Sequence, residues 1–177
     1  VITDVATGQI RALVSYPGYD NNRLANGVDA EYFNSLNQDL SNPQYNYATQ
    51  ERTAPGSTFK MVTATAGLAE SFIDVSTQIV DKGQFMEISN KPKCWKYPGN
   101  HGSINVSEAL RDSCNYFFYT VGYEMSLKST GVYDDALGIS YIQKYASMYG
   151  LDRKTGIEIE ENTPEIADSY PVMAAIG

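Results

Sequence analysis

The run Ser57-Thr58-Phe59-Lys60-Met61-Val62-Thr63-Ala64-Thr65-Ala66-Gly67-Leu68-Ala69-Glu70 constrains the fold more than any other part of the chain. It follows Pro55-Gly56 and is apolar or small on nearly every side, the pattern of a helix buried all round. Lys60 is its only charge before Glu70. Such a helix needs partners on several faces. A chain of 177 residues that is 42% hydrophobic can supply them within one ordinary domain.

The chain opens with sheet. Residues 1–5 and 9–15 are short β-prone runs joined by Ala6-Thr7-Gly8, which predicts an antiparallel hairpin. From Pro17 to Glu51 the sequence is rich in Asn, Gln, Asp, Ser and Tyr, a long polar excursion with one short helix near 30–36. Strand-like pieces follow the buried helix at 77–80 and 85–88. A second helix starts at Asn105, with Glu108 placed to complete a capping box. It breaks at Asp112-Ser113-Cys114-Asn115, and helical spacing resumes over 116–125, with Phe117, Val121 and Met125 on one face. Residues 139–149 read as an amphipathic helix closed by Gly150, and 157–159 as a short extended piece. Sheet first, helices through the middle and no regular strand-helix alternation predict an α+β arrangement in which 1–177 belongs to one domain.

Composition removes several function classes. Acidic residues outnumber basic ones 21 to 13, so no basic stripe is available for a phosphate backbone and no nucleic-acid partner is expected. No apolar run approaches the roughly 20 residues that span a bilayer, and no signal peptide precedes Val1; either the protein is cytosolic or a targeting segment lies outside these residues. Cys94 and Cys114 read as free thiols, with a single disulfide as the alternative. One histidine, His101, and no Cys-x-x-Cys pair lead to the expectation of no metal.

The chemistry concentrates at Ser57 and Lys60. One helical turn apart, their side chains share a face with Cβ atoms about 5–6 Å apart, so a hydroxyl and an amine can share a proton. Phe59, Met61, Val62, Ala64 and Leu68 desolvate Lys60, which favours the neutral amine that a serine nucleophile needs as its base. The position just after Pro-Gly sets Ser57 at a helix N-terminus, where free N–H groups favour developing negative charge. Ser113 and Asn115 stand two apart in the polar break, and from an extended segment they project the same way. The hydroxyl can relay a proton and the amide can hold Lys60 and a substrate carbonyl; the plainer alternative is that Asn115 only caps the following helix.

Ala54-Pro55-Gly56-Ser57-Thr58-Phe59-Lys60 together with Ser113-Cys114-Asn115-Tyr116-Phe117 resembles the class B penicillin-binding proteins, the monofunctional peptidoglycan transpeptidases. The Thr7-Gly8 hairpin, Tyr16-Pro17-Gly18-Tyr19-Asp20, His101-Gly102 and the stretch from Gly150-Leu151 are similar to that family too. The resemblance implies an incomplete penicillin-binding transpeptidase fold. It further implies Ser57 as acylated nucleophile, Lys60 as base, Ser113 as proton relay and Asn115 as orienting amide. No cofactor is implied. The implied partners are D-alanyl-D-alanine stem peptides, β-lactams and the rest of the same domain, at the outer face of the cell membrane.

The superfamily's third motif, Lys-Thr-Gly on a site-lining strand, has a match at Lys154-Thr155-Gly156. That match follows a helix stop and runs into Glu158-Ile159-Glu160-Glu161, so a surface turn is expected, with the site-lining strand beyond Gly177. Two rival readings carry their own signals. Glu158 and Asn162 match the Glu-x-x-x-Asn spacing of class A β-lactamases, and Ser57 with Lys60 would equally serve a β-lactam sensor that binds without turnover.

Overall fold

The computed structural model describes residues 1–177, in two compact units: 1–52 with 156–163, and 53–155 with 164–177. In the first, strands β1 (Ile2–Thr3) and β2 (Ile10–Ala12) pair antiparallel, with Ile2 opposite Ala12 and Thr3 opposite Ile10. Asp4 builds the turn, its Oδ1 accepting from the N–H groups of Ala6 and Thr7 at 3.0 and 3.1 Å. The polar excursion holds α1 (Ala30–Gln38) and the single-turn α2 (Tyr47–Gln50). Each is started by a side-chain cap, Asp29 on Tyr32 N–H and Asn46 on Ala48 N–H. Leu36 is the buried residue of α1, which is why this segment shows little apolar periodicity.

The second unit is built around α3 (Lys60–Ala69), which a 3-10 turn at Gly56–Phe59 introduces. Strands β3 (Ile79–Asp81) and β4 (Gly102–Ile104) pair antiparallel and set Asp81 opposite Gly102. Then come α4 (Val106–Arg111), α5 (Asn115–Met125), α6 (Asp135–Met148) and the short α7 (Pro171–Ala174). Helix α3 packs on α5 and α6, and α7 packs on both of those. Val62, Ala64, Ala66, Phe117, Phe118, Val121, Met125, Ile142, Ala146 and Val172 fill the space between them. At Gly67 a Cβ would lie 3.0 Å from Val121 Cγ1, so the missing side chain lets α3 and α5 approach closely.

The α+β reading, the hairpin, the helix near 30–36, the buried helix and the capping box at Asn105 and Glu108 all hold. The 85–88 segment is not a strand. The residue before it, Gln84, makes an isolated bridge to Lys93, and Phe85 is buried against Tyr116, Tyr119 and Tyr123. Residues 157–159 form no strand either. Helix α6 starts before residue 139, because Asp134 accepts from the N–H groups of Ala136 and Leu137 and caps it there.

Phe117, on α5, has no exposed surface and belongs to the hydrophobic core, its ring edge-on to Phe118. Phe117→Ala is expected to cost about 3–5 kcal/mol, read as a lower urea midpoint by circular dichroism.

Candidate active site

Lys60 is 1% exposed, and its amine is the centre of the site. Nζ lies 3.1 Å from Ser57 Oγ, 3.0 Å from Ser113 Oγ, 2.9 Å from Ser113 O and 2.6 Å from Asn115 Oδ1. The Phe118 ring lies 5.8 Å away on a further side. Four oxygens around one nitrogen exceed the three donors of an ammonium. A neutral amine also serves three partners: two N–H groups reach Asn115 Oδ1 and Ser113 O, and in that form the lone pair can accept from a serine hydroxyl. Burial pushes the Lys60 pKa below its ordinary value, against a weaker opposing pull from the nearby Cys114 and Cys94. Ser57 itself is exposed at the head of the 3-10 turn, open to an incoming carbonyl.

The polar break is a helix stop with a serine where glycine usually stands. Cys114 N–H bonds Ala109 O at 2.9 Å and Ser113 N–H bonds Leu110 O at 3.2 Å, the paired bonds of a Schellman ending to α4. Ser113 takes the left-handed conformation, φ 51°, that this ending requires. The Cβ is unfavourable there, but only a side chain can carry Oγ to Lys60. Cys114 then returns to extended backbone and caps α5, its Sγ accepting from Phe117 N–H at 3.5 Å. Asn115 is therefore not the cap, and its amide is free to meet Lys60. The two residues converge through a left-handed step followed by an extended one, not along one extended strand.

Behind this turn lies a buried cluster: Asp81 from β3, Cys94 and His101 from the loop before β4, and Cys114. Asp81 accepts from Gly83 N–H at 2.6 Å, His101 N–H at 2.9 Å and the His101 ring at 2.7 Å. Burial opposes ionisation of Asp81, but these bonds outweigh it and hold the carboxyl below its usual range. The hydrogen bond offered by Cys114 pulls the Cys94 thiol down to about 5, and the donor Cys114 is pushed up. The Sγ atoms are 3.9 Å apart, so the cysteines meet as free thiols.

These four groups can hold a tetrahedral divalent cation. Metal–sulfur and metal–nitrogen or –oxygen bonds of about 2.3 and 2.0 Å imply sulfur–sulfur edges of about 3.8 Å and mixed edges of about 3.5 Å. Cys94 to Cys114 is 3.9 Å, Cys94 to His101 Nδ1 is 3.6 Å and Cys114 to Asp81 Oδ2 is 3.6 Å. The His101–Asp81 edge, at hydrogen-bond length, has to widen, and all four ligand atoms lie within 4.8 Å of one another. Two thiolates favour zinc over the hard cations.

With this geometry in hand, the comparison with known proteins is direct. Residues 1–176 match the penicillin binding protein transpeptidase domain, and the chain belongs to that family, in its class B branch. It is similar to the peptidoglycan D,D-transpeptidase MrdA of Haemophilus influenzae, 33% identical over 92% of this chain and 23% of that protein. MrdA of Escherichia coli K12 is likewise 33% identical, over 91% of this chain and 24% of its own length. The chain thus spans about a quarter of the curated relatives it matches. Among solved structures, a penicillin-binding protein (PBP2) from Helicobacter pylori superposes with a TM-score of 0.80 at 25% identity, covering 93% of this chain and 32% of that one. Penicillin-binding protein A of Mycobacterium tuberculosis, solved as a penicillin G acyl-enzyme complex, gives 0.68 at 28% identity, over 93% of this chain and 38% of that one. The β-lactamase alternative finds no support in these matches. In the structure, the Asn162 side-chain amide bonds the Gln50 carbonyl.

Of the four residues singled out in the sequence, Ser57, Ser113 and Asn115 converge on the nitrogen of the fourth, Lys60. Lys154-Thr155-Gly156 lies in no strand. The Asp81, Cys94, His101 and Cys114 set escaped notice because its members are spread along the chain without a ligand-like spacing. The available signal was Cys94 and the lone His101 shortly before the Ser-x-Asn element and Cys114 inside it.

Two outcomes are expected. Ser113→Gly should be more stable than Ser113→Ala by about 1 kcal/mol in thermal melts, since both lose the hydroxyl and only alanine keeps the left-handed Cβ penalty. Protein equilibrated with zinc and desalted should retain about one metal per chain by elemental mass spectrometry and melt higher than protein treated with chelator, and Cys114→Ser should lose both effects.

Proposed function

We propose that this chain is the nucleophile-bearing part of a peptidoglycan D,D-transpeptidase, in which 1–177 forms part of the transpeptidase domain and the Lys-Thr-Gly strand is supplied by residues beyond Gly177. The observation that carries it is the Lys60 amine, buried and ringed by Ser57, Ser113 and Asn115 oxygens. Ser57 Oγ attacks the penultimate carbonyl of a D-alanyl-D-alanine stem peptide as its proton passes to the Lys60 lone pair. The tetrahedral centre collapses, the carbon–nitrogen bond breaks, and the proton reaches the departing D-alanine amine through Ser113 Oγ. An amine of a second stem peptide then takes the acyl group and frees Ser57. Asn115 holds Lys60 on one side and the substrate amide on the other.

A β-lactam enters by the same attack, but its leaving group stays tethered, and a long-lived Ser57 ester results. The family's transpeptidases and the acyl-enzyme form of the mycobacterial neighbour support this reading. The substrate sets the location at the outer face of the cell membrane. No helix of the chain is long and apolar enough to cross a membrane.

The test is intact-mass spectrometry after incubation with a reactive penicillin. One adduct is expected on the chain, or on a longer polypeptide continuing past Gly177, and none on Ser57→Ala; no adduct on either would sink the reading. The acylation rate should rise with pH as Lys60 loses its proton. Because burial lowers that pKa, the half-maximal rate should fall below pH 10.5.

A further inference from the structure

We infer that Trp95 is a positioning residue for the acylation step, holding the left-handed Ser113 turn in the register that Lys60 requires. This rests on the transpeptidase reading above for its catalytic consequence, though not for its structural one. The Schellman ending of α4 uses the carbonyls of Ala109 and Leu110, and those of Asp112 and Ser113 face onward without a partner in the helix. Trp95 Nε1–H reaches both, 3.2 Å from Asp112 O and 3.1 Å from Ser113 O. Ser113 O is also the carbonyl 2.9 Å from Lys60 Nζ, so one oxygen accepts from the indole on one side and the amine on the other.

Packing does not explain the indole. Trp95 is 62% exposed, the chain's sole tryptophan and one of its largest side chains left outside the core. Its fixed point is the loop it stands on. The preceding residue, Cys94, bonds Gly83 O through its N–H at 2.8 Å and lies against Cys114. The ring also meets His101 edge-on with centroids 5.3 Å apart. Residues 94 and 95 therefore grip the chain on both sides of Ser113, Trp95 at its carbonyl and Cys94 at the residue after it.

A grip matters here because Ser113 is strained. Rotation about the Ser113 N–Cα bond would let φ leave 51° and relax the Cβ clash, and would carry both Ser113 O and Oγ away from Lys60. The indole N–H opposes that rotation. Losing it would leave the serine nucleophile and substrate access untouched but spend part of the time with the base unsupported.

Trp95→Phe removes the donor and keeps a ring beside His101. Two readouts separate the inference from the reading it builds on. In penicillin acylation, Trp95→Phe should lower the first-order acylation rate roughly tenfold with the initial binding constant unchanged, as expected when a reacting group is misplaced. In hydrogen exchange, the Ser113 and Cys114 amides should exchange faster in the variant while the β3–β4 amides do not change. Faster exchange in a protein whose wild type takes no penicillin, either as this chain or as the longer polypeptide, would overturn the transpeptidase reading and leave the clamp standing. Unchanged exchange, or acylation within twofold of a wild type that reacts, would overturn the role of Trp95.

Discussion

An amine buried to 1% exposure in the middle of a helical core is the constraint around which the second unit is arranged. A lysine withdrawn from water holds its charge less readily and calls for oxygens around it: burial lowers its pKa, and four oxygens close on it. Only one of them, Ser57 Oγ, comes from the same stretch of chain. The other three come from the stop between α4 and α5, so the packing of α3 against α5 is also what assembles the site. Gly67, against Val121, sets how near the two helices come.

The site departs from local preference where its chemistry requires it. Serine at the left-handed position of a helix ending, where glycine would be easier, puts a hydroxyl and a carbonyl on Lys60 at once. A cysteine, a poor cap, starts α5, which leaves Asn115 to turn inward. Such choices persist only if surrounding structure enforces them. Enforcement comes from the β3–β4 hairpin and the loop within it, which bring Asp81, Cys94, Trp95 and His101 against the back of the turn. The cluster behind the turn and the amine in front of it meet across one residue, Cys114. Any change in how the cluster is tied together is therefore transmitted to Ser113 and Asn115 over a single peptide unit.

Much of this was legible because it is local. The buried helix shows in its composition, the capping box in Asn105 and Glu108, the opening hairpin in Thr7-Gly8, and the Ser57–Lys60 pairing in helical spacing alone. What was misread involved distant partners. Phe85–Ile88 has the composition of a strand, yet Phe85 is claimed by three tyrosines of α5. Strand β4 is three residues containing Gly102 and Ser103, with no strand signature of its own, and it exists because Ile79 to Asp81 lie beside it.

The sequence by itself determined the pairing of Ser57 with Lys60, since one helical turn is enough to join them, and it determined the helix that buries Lys60. Only the tertiary structure decided that Ser113 and Asn115 close on the same nitrogen, that Cys94 and Cys114 face each other beside Asp81 and His101, and that Trp95 holds the turn between them. The reason is physical. Helical periodicity relates residues a turn apart, whereas the left-handed step at Ser113 and the pairing of β3 with β4 are worth adopting only once the buried amine and the packed helices reward them.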